Sequence, residues 1–253
     1  MASTTRSTTN VDSHERRKVL LVGDSITQQS FSVPHGGWGA GLQDWYQRTA
    51  DVFNRGFSGY NSRWIRQSLH KIFPESSPLN KDVMLVVLLL GSNDSACPPS
   101  AQHISVAEYS DNLSFIIDHF VSIFPGAQFI VITPPQVDNL QWPDRSIPQV
   151  TEYAAAARRV AINHIIPVLD LWRDDEFLVT PEDLRDGLHL GLSGNKKVCE
   201  GLQALIRSAY PQLVPEDNAL ELPNMTYHLP QHKDLGVLNS MSETKSVLEK
   251  WSW

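Results

Sequence analysis

Short apolar runs recur along the chain and predict strands. Lys18 to Gly23, Val83 to Leu90 and Gln128 to Thr133 are rich in aliphatic residues over lengths typical of strands. Val83 to Leu90 has no polar alternation, which is typical of a strand buried on both faces of a parallel sheet. Val52 to Asn54 and Ile165 to Leu171 supply two further predicted strands.

Between these strands, apolar residues recur at the spacing of one helix face. The predicted helices run from Trp38 to Arg48, from Asn61 to Phe73, from Ser105 to Phe124, from Thr151 to Asn163 and from Ser193 to Tyr210. Ser105 and Glu108 have the spacing of a capping box, in which each side chain bonds the other residue's backbone N–H. Ser193 is predicted to cap the last helix, because serine is a preferred N-cap residue.

The alternation of strands and helices predicts an α/β fold with three layers. We expect a five-stranded parallel sheet of flavodoxin-like type, with right-handed crossovers that place helices on both faces. Ligands of such sheets bind beyond the carboxyl ends of the strands. Ser25, Gly59, Asn93 and Thr133 each lie at or just beyond the end of a predicted strand, so we expect them at one edge of the sheet.

Composition narrows the domain organisation and the partners. The chain has 253 residues and a formal net charge of -7, so it lacks the basic balance that phosphate binding needs, and we expect no nucleic-acid partner. We predict a disordered tail over 1–16, one domain over 17–212 and a C-terminal extension over 213–253. That extension ends in a predicted helix, Ser242 to Trp251, and would pack on the domain or on the partner subunit of a homodimer.

The location and the cofactors are predicted from what the sequence lacks. The N-terminus has no apolar core of a signal peptide, and no stretch has the length of a membrane span. The two cysteines, Cys97 and Cys199, do not make a disulfide framework, so we expect a reducing, cytoplasmic location. No metal-ligand spacing, Walker pattern or dinucleotide motif occurs, and we therefore expect neither a metal nor a cofactor.

Ser25 and His189 are the candidates for nucleophilic chemistry. Ser25 follows a strand and a tight Gly23-Asp24 turn, although a serine there could equally cap a helix. A serine hydroxyl is a weak nucleophile and needs a neighbouring base, for which histidine is suited. His189 lies in a loop before the last helix, and Asp186 is placed to orient its ring.

Acyl transfer also needs donors for the negative charge that develops on the carbonyl oxygen. Gly59 could present a backbone N–H, and Asn93 could present its side-chain amide. Both residue types also dominate turns, so a purely structural role is the alternative.

Other residues near these segments have simpler explanations. Arg63 and Arg66 could bind an anionic substrate, but a solvated helix face is the simpler interpretation. Trp38 and Trp64 could line a substrate pocket or pack in the core. Asp24 is expected to bond the backbone and shape the turn before Ser25.

Four short motifs together resemble the SGNH/GDSL hydrolase family. They are Gly23-Asp24-Ser25-Ile26-Thr27, Asn54-Arg55-Gly56-Phe57-Ser58-Gly59, Gly91-Ser92-Asn93-Asp94 and Asp186-Gly187-Leu188-His189, and they occur in the family's order. A closer resemblance, to the isoamyl acetate-hydrolysing esterase subgroup, rests on Gly37 to Ala40, Arg55 to Trp64 and Leu184 to Gly194. The chain departs from that subgroup in a short segment from Trp142 to Val150, where substrate access could be set.

The resemblance implies a role for each matching residue. Ser25 would be the nucleophile, His189 the base and Asp186 its orienting carboxylate, while Ser25 N–H, Gly59 N–H and the Asn93 amide would form the oxyanion hole. The subgroup implies a serine esterase that acts on short, acetyl-type esters of small alcohols. Two alternatives stay open: an acyltransferase that passes the same acyl group to an alcohol or amine, and a non-catalytic binding protein on the same fold.

Overall fold

The computed structural model describes residues 16–173 and 176–215. Its strands are β1 (Arg17–Gly23), β2 (Ala50–Gly56), β3 (Val83–Leu89), β4 (Gln128–Ile132) and β5 (Val168–Leu169). They form one five-stranded sheet in the order β2-β1-β3-β4-β5, and every pairing is parallel. This is the flavodoxin-like strand order, so the predicted fold class is confirmed.

The helices cover both faces of the sheet. They are α1 (Ser25–Gln28), α2 (Trp38–Trp45), α3 (Ser62–Ile72), α4 (Val106–Ile123), α5 (Ile147–Asn163) and α6 (Leu192–Ala209). The apolar residues of α3, α4 and α5 share one buried cluster with the sheet, and those of α2 and α6 share another with its opposite face. The three-layer arrangement follows from these two cores.

Strand β3 lies at the centre of the sheet and shows why the layers form. All its residues are buried, as expected for an aliphatic run covered by helices on both sides. On one face Phe73 and Phe120 pack edge to face, with ring centroids 5.0 Å apart. On the other face Trp38 is fully buried, so it is a core residue.

Several predicted boundaries were wrong. The strand predicted over Ile165 to Leu171 pairs only at Val168 and Leu169. Its first residue, Ile165, has a left-handed φ of 58°, and Pro167 has no N–H to donate to a neighbouring strand. The helix predicted from Thr151 begins four residues earlier.

The predicted caps had mixed outcomes. Ser193 does not cap α6: the helix begins at Leu192 and Gly191 is its N-cap. Ser105 does cap α4, and its hydroxyl accepts the backbone N–H of Glu108 at 3.2 Å.

Part of the predicted domain organisation lies outside the described residues. This applies to the N-terminal tail before Arg16, the helix predicted over Ser242 to Trp251, and all of the C-terminal extension beyond 215. Within the described ranges, no helix combines the length and apolar character needed to cross a membrane. Cys97 and Cys199 are both free thiols, and the cytoplasmic location stays a prediction.

The strand order fixes where a site can form. The chain leaves β1 towards β2 on one side and reaches β3 on the other, so the crossovers diverge at the carboxyl end of β1. The strands end level there, because Gly23 pairs with Gly56 of β2 and with Leu89 of β3. Segments that follow β1, β2 and β3 therefore emerge side by side.

Candidate active site

Ser25 lies where β1 turns sharply into α1. Gly23 makes this turn possible, since a Cβ at that position would lie 2.3 Å from the carbonyl oxygen of Leu89. Asp24 caps α1, and its Oδ1 accepts the backbone N–H of Ile26 at 2.9 Å, as predicted for a turn-shaping carboxylate. Ser25 is the first residue of α1, so its backbone N–H is not used in a hydrogen bond within the helix. Ser25 is buried, with only 5% of the residue exposed.

His189 and Asp186 face Ser25 from the loop before α6. His189 Nε2 lies 2.9 Å from Ser25 Oγ, and His189 Nδ1 lies 2.8 Å from Asp186 Oδ2. The three side chains predicted to act together therefore form one continuous hydrogen-bonded chain. Ser25 and His189 are 164 positions apart in the sequence, so the fold brings them together.

The backbone of the loop holds the Asp186 carboxylate in place. Its Oδ1 accepts the N–H of His189 at 2.8 Å and that of Leu188 at 3.2 Å. Burial alone would raise the pKa of Asp186, but the hydrogen bonds from His189 and Leu188 outweigh it and lower the pKa below its usual value. The carboxylate is thus ionised at neutral pH and can accept the Nδ1 proton of His189.

Gly59 and Asn93 follow β2 and β3, and Asn93 bonds the residue next to Gly59. Gly59 has a φ of 79°, in the left-handed region that favours glycine. Asn93 is buried, and its Nδ2 donates to the carbonyl oxygen of Tyr60 at 2.8 Å. An amide nitrogen has two protons, so one remains for another acceptor. The two predicted oxyanion donors are therefore neighbours beside β1.

Two residues of the segment between β4 and α5 were missed by sequence reasoning. Trp142 Nε1 donates to the carbonyl oxygen of Asp186 at 2.8 Å, and the indole packs edge-on to the His189 ring at a centroid distance of 6.3 Å. Arg145 is buried and donates to the carbonyl oxygen of Ser92, next to Asn93, at 2.9 Å. Neither residue stands in a recognisable motif. Only the unusual shortness of this segment marked it in the sequence.

Two buried carboxyl groups lie beneath the site. Burial raises the pKa of Asp24 to about 7, and the neighbouring Asp94 adds to the rise. Burial likewise raises the pKa of Asp94 to about 6, against hydrogen bonds from Ser62. Within the described residues, the Oδ2 atom of each carboxyl has no hydrogen-bond partner. These groups favour the neutral form much more than free aspartates do.

Arg63, Arg66 and Trp64 each contact other side chains of the protein. Arg63 forms a salt bridge with Glu108 at 2.5 Å, which uses the carboxylate that a full capping box would turn back to Ser105. Arg66 donates to Asn112 at 3.1 Å. Trp64 packs edge to face on Tyr60, with centroids 6.0 Å apart.

The described residues also bear on metal binding. Among 16–173 and 176–215, no three His, Cys, Asp or Glu side chains are grouped to hold a metal ion. The groups placed at the site are a hydroxyl, an imidazole, a carboxylate and an amide, which are groups that acyl chemistry can use.

Comparisons with known proteins agree with this geometry. Residues 21–197 match the model of the GDSL-like lipase/acylhydrolase family. An isoamyl acetate-hydrolyzing esterase 1 homolog of Homo sapiens is 38% identical over 218 residues, which cover 78% of this chain and 86% of the relative. A GDSL esterase/lipase of Arabidopsis thaliana is 37% identical over 226 residues, covering 82% of this chain and 92% of the relative.

A solved structure has a similar fold. A lipase/acylhydrolase from Enterococcus faecalis superposes with a TM-score of 0.62 at 26% identity, covering 79% of this chain and 99% of that one. The matched family region, residues 21–197, contains Ser25, Gly59, Asn93, Asp186 and His189. This chain therefore belongs to the GDSL-like lipase/acylhydrolase family and is a carboxylic ester hydrolase.

Proposed function

We propose that this enzyme hydrolyses short-acyl esters of small alcohols through an acyl-enzyme on Ser25. The observation that carries the proposal is the continuous hydrogen-bonded chain from Asp186 through His189 to Ser25, with distances of 2.8 and 2.9 Å. Such a chain activates a serine hydroxyl, because a neutral imidazole can accept its proton as the oxygen attacks.

The first half of the reaction forms the acyl-enzyme. Ser25 Oγ attacks the ester carbonyl carbon while His189 Nε2 takes the hydroxyl proton. Ser25 N–H, Gly59 N–H and the Asn93 amide donate to the resulting oxyanion. When the tetrahedral intermediate collapses, the carbonyl re-forms, the bond to the alcohol oxygen breaks, and His189 gives its proton to the departing alcohol.

The second half releases the acid. A water molecule attacks the acyl carbon while His189 takes one of its protons, and the same donors hold the second oxyanion. Collapse breaks the bond to Ser25 Oγ, which recovers its proton from His189. The enzyme is regenerated, and the products are one alcohol and one carboxylic acid.

The short-acyl preference is supported by relatives. Relatives that are 38% identical to this chain are named for hydrolysis of isoamyl acetate, an ester of a small acid and a small alcohol. Gly59, Asp186 and His189 of this chain lie within the segments that carry the closer resemblance.

The test is the turnover of a p-nitrophenyl ester series from acetyl to decanoyl. We expect kcat/KM to be highest for the short acyl groups and to fall steeply beyond butyryl. A rise towards decanoyl would refute the short-acyl preference but leave the esterase chemistry intact. Isoamyl acetate, assayed by release of the free alcohol, tests the small-alcohol part of the proposal directly.

The variant Ser25→Ala tests the nucleophile. It should lose nearly all turnover of p-nitrophenyl acetate, because the attacking oxygen is gone. Ser110→Ala is the matched control: Ser110 lies on α4, and among the described residues its hydroxyl bonds within that helix, to the carbonyl oxygen of Val106 at 2.9 Å. A Ser25→Ala enzyme that keeps most of its activity would refute the mechanism.

A further inference from the structure

The Arg145 side chain connects the backbone beside Asn93 with the amides near it. Its Nε donates to Ser92 O at 2.9 Å, and its Nη1 donates to both carboxylate oxygens of Asp144 at 2.8 Å. Its Nη2 donates to Gln102 Oε1 at 2.8 Å and to Asn93 Oδ1 at 3.3 Å. A guanidinium has only donors, so every group that faces it must present an acceptor.

This requirement fixes how the Gln102 amide is turned. Because Gln102 Oε1 must face the guanidinium of Arg145, its Nε2 points the other way. That nitrogen donates to Gly59 O at 2.9 Å and to Asn93 Oδ1 at 3.1 Å. One glutamine thus contacts both of the residues assigned to the oxyanion hole besides Ser25.

The same requirement fixes the Asn93 amide. Asn93 Oδ1 accepts from Arg145 Nη2 and from Gln102 Nε2, so a flipped amide would turn its NH₂ group towards two donors. The observed orientation leaves the Asn93 NH₂ group on the side of Tyr60 and the site. Only in this orientation can Asn93 donate to an oxyanion.

We propose that Arg145 and Gln102 are positioning residues that hold the Asn93 amide with its NH₂ group towards the oxyanion. The inference rests on the proposed function, in which Asn93 donates to the oxyanion. Arg145 and Gln102 are assigned no contact with the substrate. The side chain of Arg145 is 2% exposed, so water does not compete for these hydrogen bonds. The orientation is therefore set before the substrate binds, and no binding energy is spent on turning the amide.

The sharpest test is Gln102→Glu. Glutamate has the shape of glutamine and can still accept from Arg145, but its second oxygen replaces the Nε2 donor that faces Gly59 O and Asn93 Oδ1. The new carboxylate oxygen repels Asn93 Oδ1, so the Asn93 amide should move out of the position in which its NH₂ group faces the oxyanion. Since loss of one oxyanion donor typically costs about 10²–10³ in kcat, we expect a loss of at least about tenfold. KM should change little, because the donor acts in the transition state.

A double-mutant cycle separates positioning from a general structural role. In the Asn93→Ala background there is no amide left to orient, so adding Gln102→Glu should lower kcat by a clearly smaller factor than in the native background, and the loss that remains reports its contact with Gly59 O. If Gln102→Glu lowers kcat equally in both backgrounds, or lowers it in neither, the inference is wrong. Arg145→Lys, which keeps a donor, should retain more activity than Arg145→Met in the native background, and the reverse order would also count against it.

Two controls make the outcome readable. Gln43→Glu is a matched substitution at the other end of the sheet, where Gln43 accepts the N–H of Val52 at 2.8 Å near the start of β2. It should leave kcat unchanged, and thermal melting of each variant checks that it folds. If Ser25→Ala abolishes turnover while Gln102→Glu behaves as wild type, only the positioning inference fails; if Ser25→Ala stays active, the proposed function itself fails.

Discussion

Asp186→Asn should disable His189 by reversing its tautomer. Asp186 Oδ1 accepts two backbone N–H groups, and Oδ2 accepts the Nδ1 proton of His189. In the asparagine variant the amide oxygen must stay with the two backbone donors, so the NH₂ group faces Nδ1. The ring then has to accept at Nδ1 and carry its proton on Nε2, where it cannot take the proton of Ser25.

The size of the effect follows from the cost of turning the amide round. A flipped asparagine would restore an acceptor for Nδ1 but would leave two backbone N–H groups unpaired, at about 1–3 kcal/mol each. A total of about 2–6 kcal/mol corresponds to roughly 30-fold to 3 × 10⁴-fold in rate. Because the side chain of Asp186 is 41% exposed, water can pair with the freed groups in part, so we expect a loss of about 10²–10³ in kcat/KM.

The assay is turnover of p-nitrophenyl acetate at pH 8, with the His189 tautomer read from ¹⁵N shifts of the ring. Asp118→Asn is the matched control, because Asp118 pairs with His164 Nε2 at 3.3 Å on the surface between α4 and α5. That variant should keep its activity. An Asp186→Asn enzyme within about threefold of wild type, or one whose His189 still carries its proton on Nδ1, would refute the reasoning.

Two further predictions concern the surroundings of the site. Trp142→Phe keeps an aromatic ring beside His189 but removes the hydrogen bond to Asp186 O. We therefore expect the free energy of unfolding, measured in urea, to fall by about 1 kcal/mol and kcat to fall a few-fold. Unchanged values of both would contradict this. Asp24→Asn should make stability less dependent on pH. Because the folded pKa of Asp24 is raised to about 7, the folded state holds its proton more tightly than the unfolded chain, and stability falls as pH rises from 5 to 8. Residue 24 of the variant cannot ionise, so its free energy of unfolding should fall by about 2 kcal/mol less than that of the wild type over this interval, as measured in thermal or urea melts. If the stabilities of the two proteins run parallel with pH, the assignment is contradicted.

The sequence predicts the layers well because burial leaves a strong pattern. A strand such as Val83–Leu89, covered on both faces, cannot carry polar residues, and its aliphatic run is easy to recognise. The fifth strand shows the limit of this signal. Ile165 and Ile166 read as strand residues, but a left-handed turn at Ile165 and the missing N–H of Pro167 restrict pairing to Val168–Leu169.

Short elements and caps are harder to predict for physical reasons. Helix α1 has four residues, too few to show any periodicity. Helix α6 starts where Asn195 N–H donates to Gly191 O at 3.0 Å. The prediction placed the N-cap two residues too late, at Ser193, because serine is a preferred N-cap residue. Here the backbone hydrogen bond, and not the capping propensity of the residue, determines where the helix begins.

The candidate site divides into a part that the sequence encodes locally and a part that it does not. Asp186 and His189 are three residues apart, and the loop between them supplies its own backbone donors, so a short motif carries most of their geometry. The donors on the other side come from separate strands. Arg145, which contacts Asn93 from 52 positions away, has no local signature to mark it.

The segment between β4 and α5 has a larger consequence than sequence analysis indicated. From the sequence alone, its shortness predicts only an effect on substrate access. In the structure Trp142 bonds the carbonyl of Asp186, and three residues later Arg145 bonds the carbonyl of Ser92 and the side chain of Asn93. One short stretch of chain therefore contacts both the loop of Asp186 and His189 and the proposed oxyanion donor Asn93. A change in its length would shift one contact relative to the other, so it should lower kcat for every ester rather than alter only which esters enter.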